Sequence, residues 1–295
     1  MNKFVIISDS SCDLSKEYRD LHQIEYAKMM LSWTDKDGKI HEGFMDLDWG
    51  QFTPKEFYNM IRSGTRFSTA QVTMQNYLEL FEPHLQKGED ILYLACSSGL
   101  SASLRTAEML YETELKEKYP NNKVIVLDTM RAGMSQGMIV QLAVELKDAG
   151  KSLEEVREII EKEKLRYVEI GIPESLSYLK RAGRVSAGAA YFGNIIALKP
   201  ILVFDEKGSN VAIEKAIGRK KAYNRMAEII QENIDDPENQ EIYMMSADCS
   251  DEDVEMFKKA INSRIKVKNI IVQTLGPVIG ATSGPGTIIV NYRRK

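Results

Sequence analysis

Residues 91–119 read ILYLACSSGLSASLRTAEMLYETELKEKY, and their centre, Cys96-Ser97-Ser98-Gly99-Leu100-Ser101, decides how the chain is read. An apolar run, ILYLA, stops at a turn rich in hydroxyls and glycine. Beyond it, Leu104, Ala107, Tyr111 and Leu115 recur on one face at helical spacing. Pro120 follows as a stop signal. Strand, turn and helix in that order predict a parallel α/β unit. Its serine turn falls at the carboxyl end of the strand, where ligands sit in open α/β sheets. The turn's hydroxyls either attack something or hold something.

The flanking sequence extends the same pattern. KFVIIS (3–8) and NKVIVLDT (122–129) read as further buried parallel strands. GMSQGMIVQLAVELKDAG (133–150) reads as a helix with Gly150 at its end. SLEEVREIIEKEK (152–164) opens with Ser152 and Glu155, a capping box. This is α/β order with a mostly parallel sheet flanked by helices, and it predicts a first domain over 1–165. From Arg166 the grain changes. RYVEIGIP reads as a strand, and the stretch from Glu174 to Pro200 as helical with a break at Gly183. ILVFDEKGSNVAIEKA reads as two strands joined at Lys207-Gly208, followed by a helix at KKAYNRMAEIIQENI. EIYMMSAD, DEDVEMFKKAI and NIIVQTLG continue the alternation, so 166–295 is predicted to be a second, α+β domain.

Composition excludes several classes. Of 295 residues, 28% are charged and 43% hydrophobic, an ordinary globular balance. A net charge of −4 with no basic stripe argues against a nucleic-acid partner. Asp9 interrupts the first apolar run too early for a signal-peptide core, and no uncharged helical stretch reaches membrane-spanning length. Cys12, Cys96 and Cys249 are odd in number and widely spaced, which predicts neither a zinc site nor a disulfide framework. A reducing cytoplasm is the expected compartment, and no cofactor is expected. Asp9 and Asp13 are the one pair of carboxylates considered for a metal, and one loop is a weak basis for it.

An attacking serine needs a base within reach. The chain has His22, His41 and His84, all in polar surroundings that predict a surface position. CSSGLS lacks the nucleophile-elbow pattern, and none of its serines is followed three residues later by lysine. Holding requires less: Ser101 opening a helix whose free amides face the turn, and Gly99 permitting close backbone approach. Three further segments, DSSCD (9–13), RFSTAQVT (66–73) and LGPVIGATSGPGT (275–287), read as polar, turn-rich loops of the same kind. Hydroxyls and amides without a dominant cation suit a carboxylate better than a phosphate.

DSSCDL (9–14), STAQVT (68–73), SSGLS (97–101), YLKRAGRVS (178–186), LKPIL (198–202), GRKKA (218–222) and GPVIGATSGPG (276–286) occur in the order seen in DegV family proteins. The resemblance spans nearly the whole chain. It implies a two-domain α/β protein with a long-chain fatty acid in the cleft between domains. It also implies a role as the non-catalytic, lipid-binding subunit of a bacterial fatty acid kinase. A separate ATP-dependent subunit would phosphorylate the acid for phospholipid synthesis. Carried over by residue, the carboxylate-binding pair falls on Thr69 and Ser101, with Ser98 beside them. Thr282 stands where the family usually has a histidine. AAYFGNIIAL (189–198) is the expected source of tail-pocket residues. Lys180, Arg181 and Arg184 form a basic cluster expected to dock the kinase subunit. The alternative reading is a small-molecule hydrolase or kinase using Ser98 or Ser101.

Overall fold

The computed structural model describes residues 3–35, 37–185 and 198–295. The first half runs β1 (Phe4–Asp9), α1 (Lys16–His22), β2 (Glu25–Ala27), β3 (Met30–Thr34), β4 (Ile40–Phe44), α2 (Pro54–Arg62), β5 (Arg66–Ala70) and α3 (Met74–Gln86). It continues with β6 (Asp90–Ala95), α4 (Ser103–Leu110), α5 (Lys116–Lys118), β7 (Val124–Asp128), α6 (Gly133–Asp148) and α7 (Leu153–Glu163). The second half holds β8 (Tyr167–Ile172), α8 (Leu176–Ala182), β9 (Leu198–Phe204), β10 (Asn210–Ile217) and α9 (Arg219–Asn233). It ends with β11 (Glu241–Ser246), α10 (Asp251–Asn262), β12 (Asn269–Thr274), α11 (Pro277–Ser283) and β13 (Ile288–Arg293).

The expected parallel sheet is present, in the order β2-β1-β6-β7. Every residue of β6 is buried, as a central strand covered on both faces should be. The capping box of Ser152 and Glu155 starts α7, with Glu155 N donating to Ser152 Oγ at 3.2 Å. A second box, Thr53 with Glu56, starts α2. One π-helical turn, Tyr111–Leu115, joins α4 to α5.

Two stretches read as loops are regular structure. RFSTA is β5, which pairs antiparallel with β3 and, through it, with β4. The pairing places Leu31 opposite Thr69 and buries Phe67 against Phe57, with ring centroids 4.6 Å apart. Alternation in a five-residue segment was masked by its serine and threonine. PVIGATS is α11, a single short helix, where its glycines and proline predicted a loop. Pro277 sits at its first position, where the missing N–H costs nothing.

The second sheet is mixed, in the order β10-β9-β8-β13-β11-β12, with only β11 and β12 parallel. One core lies wholly within it, around Tyr223, Phe257, Ile230 and Val290. The largest core belongs to the first half but also takes in Leu275, Val278 and Ala281 around α11, and a third, small cluster gathers Leu176, Leu179 and Leu202. The two halves therefore meet along α11. Tyr58 Oη donates to Leu275 O at 2.6 Å, and a Cβ on Gly280 would lie 2.4 Å from that hydroxyl. Arg62 and Lys55 of α2 pair with Asp248 beyond β11. No helix among the described residues is long and apolar enough to cross a membrane.

Candidate ligand-binding cleft

The carboxyl end of the parallel sheet is organised by Asp9. Its Oδ1 accepts from Ser11 N (3.0 Å), Ser11 Oγ (2.5 Å) and Gln136 Nε2 (3.2 Å). Its Oδ2 accepts from Cys96 N (2.7 Å) and Tyr93 Oη (3.1 Å). One carboxylate thus ties β1, β6 and α6 together, and its oxygens are already committed. Among the described residues no group of three or more His, Cys, Asp or Glu is placed to hold a metal.

Above this floor two cavities adjoin, each of about 50 Å³. The first is lined by Thr69 on β5, Ser101 in the turn after β6, Thr282 on α11, and Cys96. The second runs on toward the other sheet, past Ile172, Leu179, Leu202, Phe204 and Ile289. Leu100, Ala132, Arg184, Ile279 and Thr282 line both. The structure therefore brings Thr69, Ser101 and Thr282 to one cavity from three separate segments. Ser98 is exposed and lines neither; its amide faces the Asp128 carboxylate at 3.3 Å.

The turn is built differently from the expectation in one respect. Helix α4 starts at Ser103, with Ala102 at the cap position and no side-chain cap. Ser101 lies one residue earlier. Its Oγ accepts from Ser103 N at 3.2 Å and contacts Ser103 Oγ at 2.9 Å. Ser103 Oγ in turn accepts from Val72 N at 3.2 Å, which locks the STAQVT segment to the serine turn. Thr282 Oγ1 donates to Ile279 O at 3.0 Å, so its hydroxyl is turned back onto its own helix.

The basic cluster is split. Arg181 is exposed and lies over the Tyr178 ring, 5.2 Å from its centroid, and Lys180 is half-buried on the same short helix. Arg184 turns inward. Its Nε donates to Leu100 O at 2.9 Å and its Nη1 to Ala182 O at 2.5 Å, which places a guanidinium on the cavity wall. Residues 189–197 of AAYFGNIIAL, and Ser186 of YLKRAGRVS, lie outside the described residues. Leu198 opens β9.

His84 is not on the surface. It is buried between Glu25 and Glu89, 2.8 Å from each, because α3 packs its last turn against β2 and the start of β6. His22 rests on the Tyr18 ring, and His41 pairs with Asp35. The histidines are thus engaged away from the serine turn.

Three polar residues have surroundings that the sequence did not reveal. Ser97 is buried, and its Oγ donates to Gly208 O of the β9–β10 turn at 2.8 Å. Asp13 is buried with neither oxygen hydrogen-bonded among the described residues; burial pushes its pKa up to about 7, against the nearby Gly276 amide. Glu169 lies on the wall of the second cavity; burial pushes it up to about 8, opposed by Arg131 and reinforced by Asp13. The sequence signal for Glu169 was a lone charge inside the apolar strand YVEIGI. Burial also raises the Cys96 thiol well above its ordinary value, which disfavours the thiolate form.

A family model described as "Uncharacterised protein, DegV family" matches residues 3–295. The chain belongs to the DegV family. A DegV domain-containing protein of Clostridium perfringens is 34% identical over 292 residues, covering 99% of this chain and 98% of the relative. A fatty-acid-binding DegV family protein from Thermus thermophilus superposes with a TM-score of 0.81 at 26% identity, covering 99% of both chains. A fatty-acid-binding DegV family protein from Streptococcus agalactiae, 23% identical, shares the fold at a TM-score of 0.84 over the full length of both. The DegV two-domain α/β fold expected from the motifs is the fold observed.

Proposed function

We propose that this DegV protein binds a long-chain fatty acid between residues 1–165 and 166–295 and presents its carboxylate to a separate ATP-dependent kinase subunit. The carrying observation is the convergence of Thr69, Ser101 and Arg184 on one cavity that continues into an apolar one. The fatty-acid binding of the Thermus thermophilus relative supports the same reading. In it, Thr69 and Ser101 hold the carboxylate, with Thr282 and Ser98 at the margin, and the acyl tail lies against Ile172, Leu202 and Phe204. Arg184 supplies the positive charge that Thr282 cannot. Lys180 and Arg181 lie outside the cavity, and they dock the kinase subunit. The chain itself carries no catalytic role, and it works in the cytoplasm.

Magnitudes fit a carrier. A tail of about 14 methylenes gains roughly 11 kcal/mol gross on burial at about 0.8 kcal/mol per CH₂. Immobilisation offsets several kcal/mol of this. Each hydrogen bond to the charged head adds about 1.5–3 kcal/mol. Tail burial therefore sets affinity, while the hydroxyls set which end faces the kinase.

Mass spectrometry of lipid extracted from the purified protein tests the reading, together with uptake of labelled C14–C18 acids by delipidated protein. Bound or recaptured fatty acid at one per chain is expected. Protein that contains none and takes up none would refute it. ATP-dependent acyl phosphate formation by this chain alone would favour a kinase that uses Ser98 or Ser101.

A further inference from the structure

We propose that Glu169 and Ser283 form a polar subsite within the tail cavity that selects a fatty acid bearing a hydroxyl group along its chain. The inference rests on the fatty-acid reading above and adds the substrate class.

The second cavity is not uniformly apolar. Among its polar side chains, most are already engaged. Asn210 Nδ2 donates to Arg184 O at 3.0 Å, Thr287 Oγ1 to Ser283 O at 3.0 Å, and Thr282 Oγ1 to Ile279 O at 3.0 Å. Arg184 donates to Leu100 O and Ala182 O. Two are not engaged. Ser283 is 4% exposed, and its Oγ has no hydrogen-bond partner among the described residues. Glu169 has neither hydrogen bond nor ion pair there, although Arg131 lies within electrostatic reach. Arg131 makes no hydrogen bond to it among the described residues; its guanidinium donates instead to the carbonyls of Tyr167, Met130 and Leu165. Both uncommitted groups line the same cavity, beside Ile172, Leu202 and Ile289.

Buried polar groups are nearly always paired, so the buried, unpaired hydroxyl of Ser283 beside the unpaired carboxyl of Glu169 on one cavity wall calls for a partner. A methylene cannot be that partner. An alcohol can, because it donates once and accepts twice. The protonated carboxyl of Glu169, favoured by its burial, offers an O–H and a carbonyl oxygen, and Ser283 offers a hydroxyl that both donates and accepts. A site that hydrogen-bonds a ligand hydroxyl discriminates strongly against the analogue without it, since its own polar groups are then left unpaired.

The test uses the delipidated full chain and compares affinities for stearic acid and its 9-, 10- and 12-hydroxy derivatives. At least one isomer should bind about 10-fold or more tightly than stearic acid, the gain of one well-placed hydrogen bond. In Ser283→Ala and Glu169→Leu that preference should fall toward parity, while stearic acid binds more tightly as the wall becomes apolar. Absence of stearic acid binding to the wild type overturns the fatty-acid reading itself. Stearic acid binding with no hydroxylated isomer favoured overturns the subsite alone. A preference that survives in the Ser283→Ala/Glu169→Leu double variant does so as well. The wild-type comparison decides by itself, so a variant that fails to fold leaves the test intact.

Discussion

The hydroxyl of Ser97, in the turn after β6, donates to the carbonyl of Gly208, at the tip of the β9–β10 hairpin, across the seam between the two sheets. The contact is close on both sides. A Cβ on Gly99 would lie 2.7 Å from Lys207 O, and a Cβ on Gly208 would lie 2.0 Å from Ser97 Oγ. Gly208 also has a positive φ of 71°, which side chains disfavour. The hairpin carries Leu202, Phe204 and Asn210 of the cavity wall, so this latch holds the wall against the serine turn. The cavities, at about 50 Å³ each, are well below the roughly 300–1,000 Å³ of a typical ligand pocket. An acyl chain therefore has to displace wall elements, and the hairpin is the one fastened at its tip.

Gly99→Ala should accordingly speed ligand exchange. Gly99 does not have a positive φ, so alanine fits its backbone and acts only as a wedge under the hairpin. Overpacking of this kind costs about 1–3 kcal/mol. If the contact opens during release, the rate of fatty-acid dissociation should rise about 5- to 100-fold. Ser97→Ala, which leaves the Gly208 carbonyl unpaired, should move the same way. Stopped-flow displacement by excess ligand measures it. Unchanged dissociation in both variants alongside a lowered melting temperature would show that the latch is structural only.

Thr69→Ala and Ser101→Gly should weaken binding without abolishing it. Each removes one charge-assisted hydrogen bond, about 1.5–3 kcal/mol, or roughly 10- to 150-fold in affinity. The tail supplies the rest. Ser101 also accepts from Ser103 N, so glycine there removes a turn hydrogen bond along with the head-group contact. Coupled turnover with a fatty acid kinase subunit should fall further than affinity, because a head group misplaced by 1 Å can cost about 10²-fold in rate. Wild-type values for both variants in both assays would mean that these hydroxyls only shape turns.

Much of this arrangement was legible in the chain. Three of the four parallel strands, β1, β6 and β7, announced themselves as short apolar runs, and the start of α7 followed from one capping box. The serine turn was placed at a strand end by order alone. Among the things that were not legible, three are instructive. The small β3–β4–β5 sheet exists because Trp33, Phe57 and Phe67 pack together, a tertiary contact that a serine- and threonine-containing segment does not advertise. Arg184 reads as one cation in a surface cluster until Gly183, with a positive φ of 66°, ends α8 and turns the chain so that its guanidinium meets Leu100 O. His84 reads as exposed because its partners, Glu25 and Glu89, come from other elements. Each miss is a long-range pairing, the kind of information that local pattern lacks.

His84 should make stability depend on pH. Hydrogen bonds that it donates to Glu25 and then to Glu89 raise its pKa above 6.5, against partial burial. The same contacts lower both glutamates below 4.5. A raised histidine contributes stability that is complete below its unfolded value and is lost as pH rises through the folded one. The lowered glutamates contribute above about 4.5 and lose their share as pH falls. The cluster is therefore strongest between about pH 4.5 and 6.5. His84→Gln should lower the melting temperature most in that window and flatten its decline toward pH 8. An equal loss at every pH would mean that the imidazole acts by packing alone.

Asp13 should give a pH dependence of its own, and the sign follows from its burial. Its folded pKa of about 7 lies above the ordinary carboxyl value of 3.8. The unfolded chain therefore releases this proton first, and stability falls as pH rises from about 3.8 through about 7. A shift of this size in a fully buried group corresponds to a few kcal/mol, on the order of 1.4 per pKa unit. Asparagine keeps the shape, and it also tolerates the positive φ of 51° found at Asp13. It cannot ionise, so Asp13→Asn should gain stability over wild type at pH 8 and nearly match it at pH 4. Part of the decline should persist in the variant, because Glu169 is raised in the same sense and titrates near pH 8. Urea midpoints at pH 4, 6 and 8 for wild type, Asp13→Asn and Glu169→Gln separate the two contributions. A wild-type slope unchanged by Asp13→Asn would show that Asp13 stays ionised, with a partner that holds its charge.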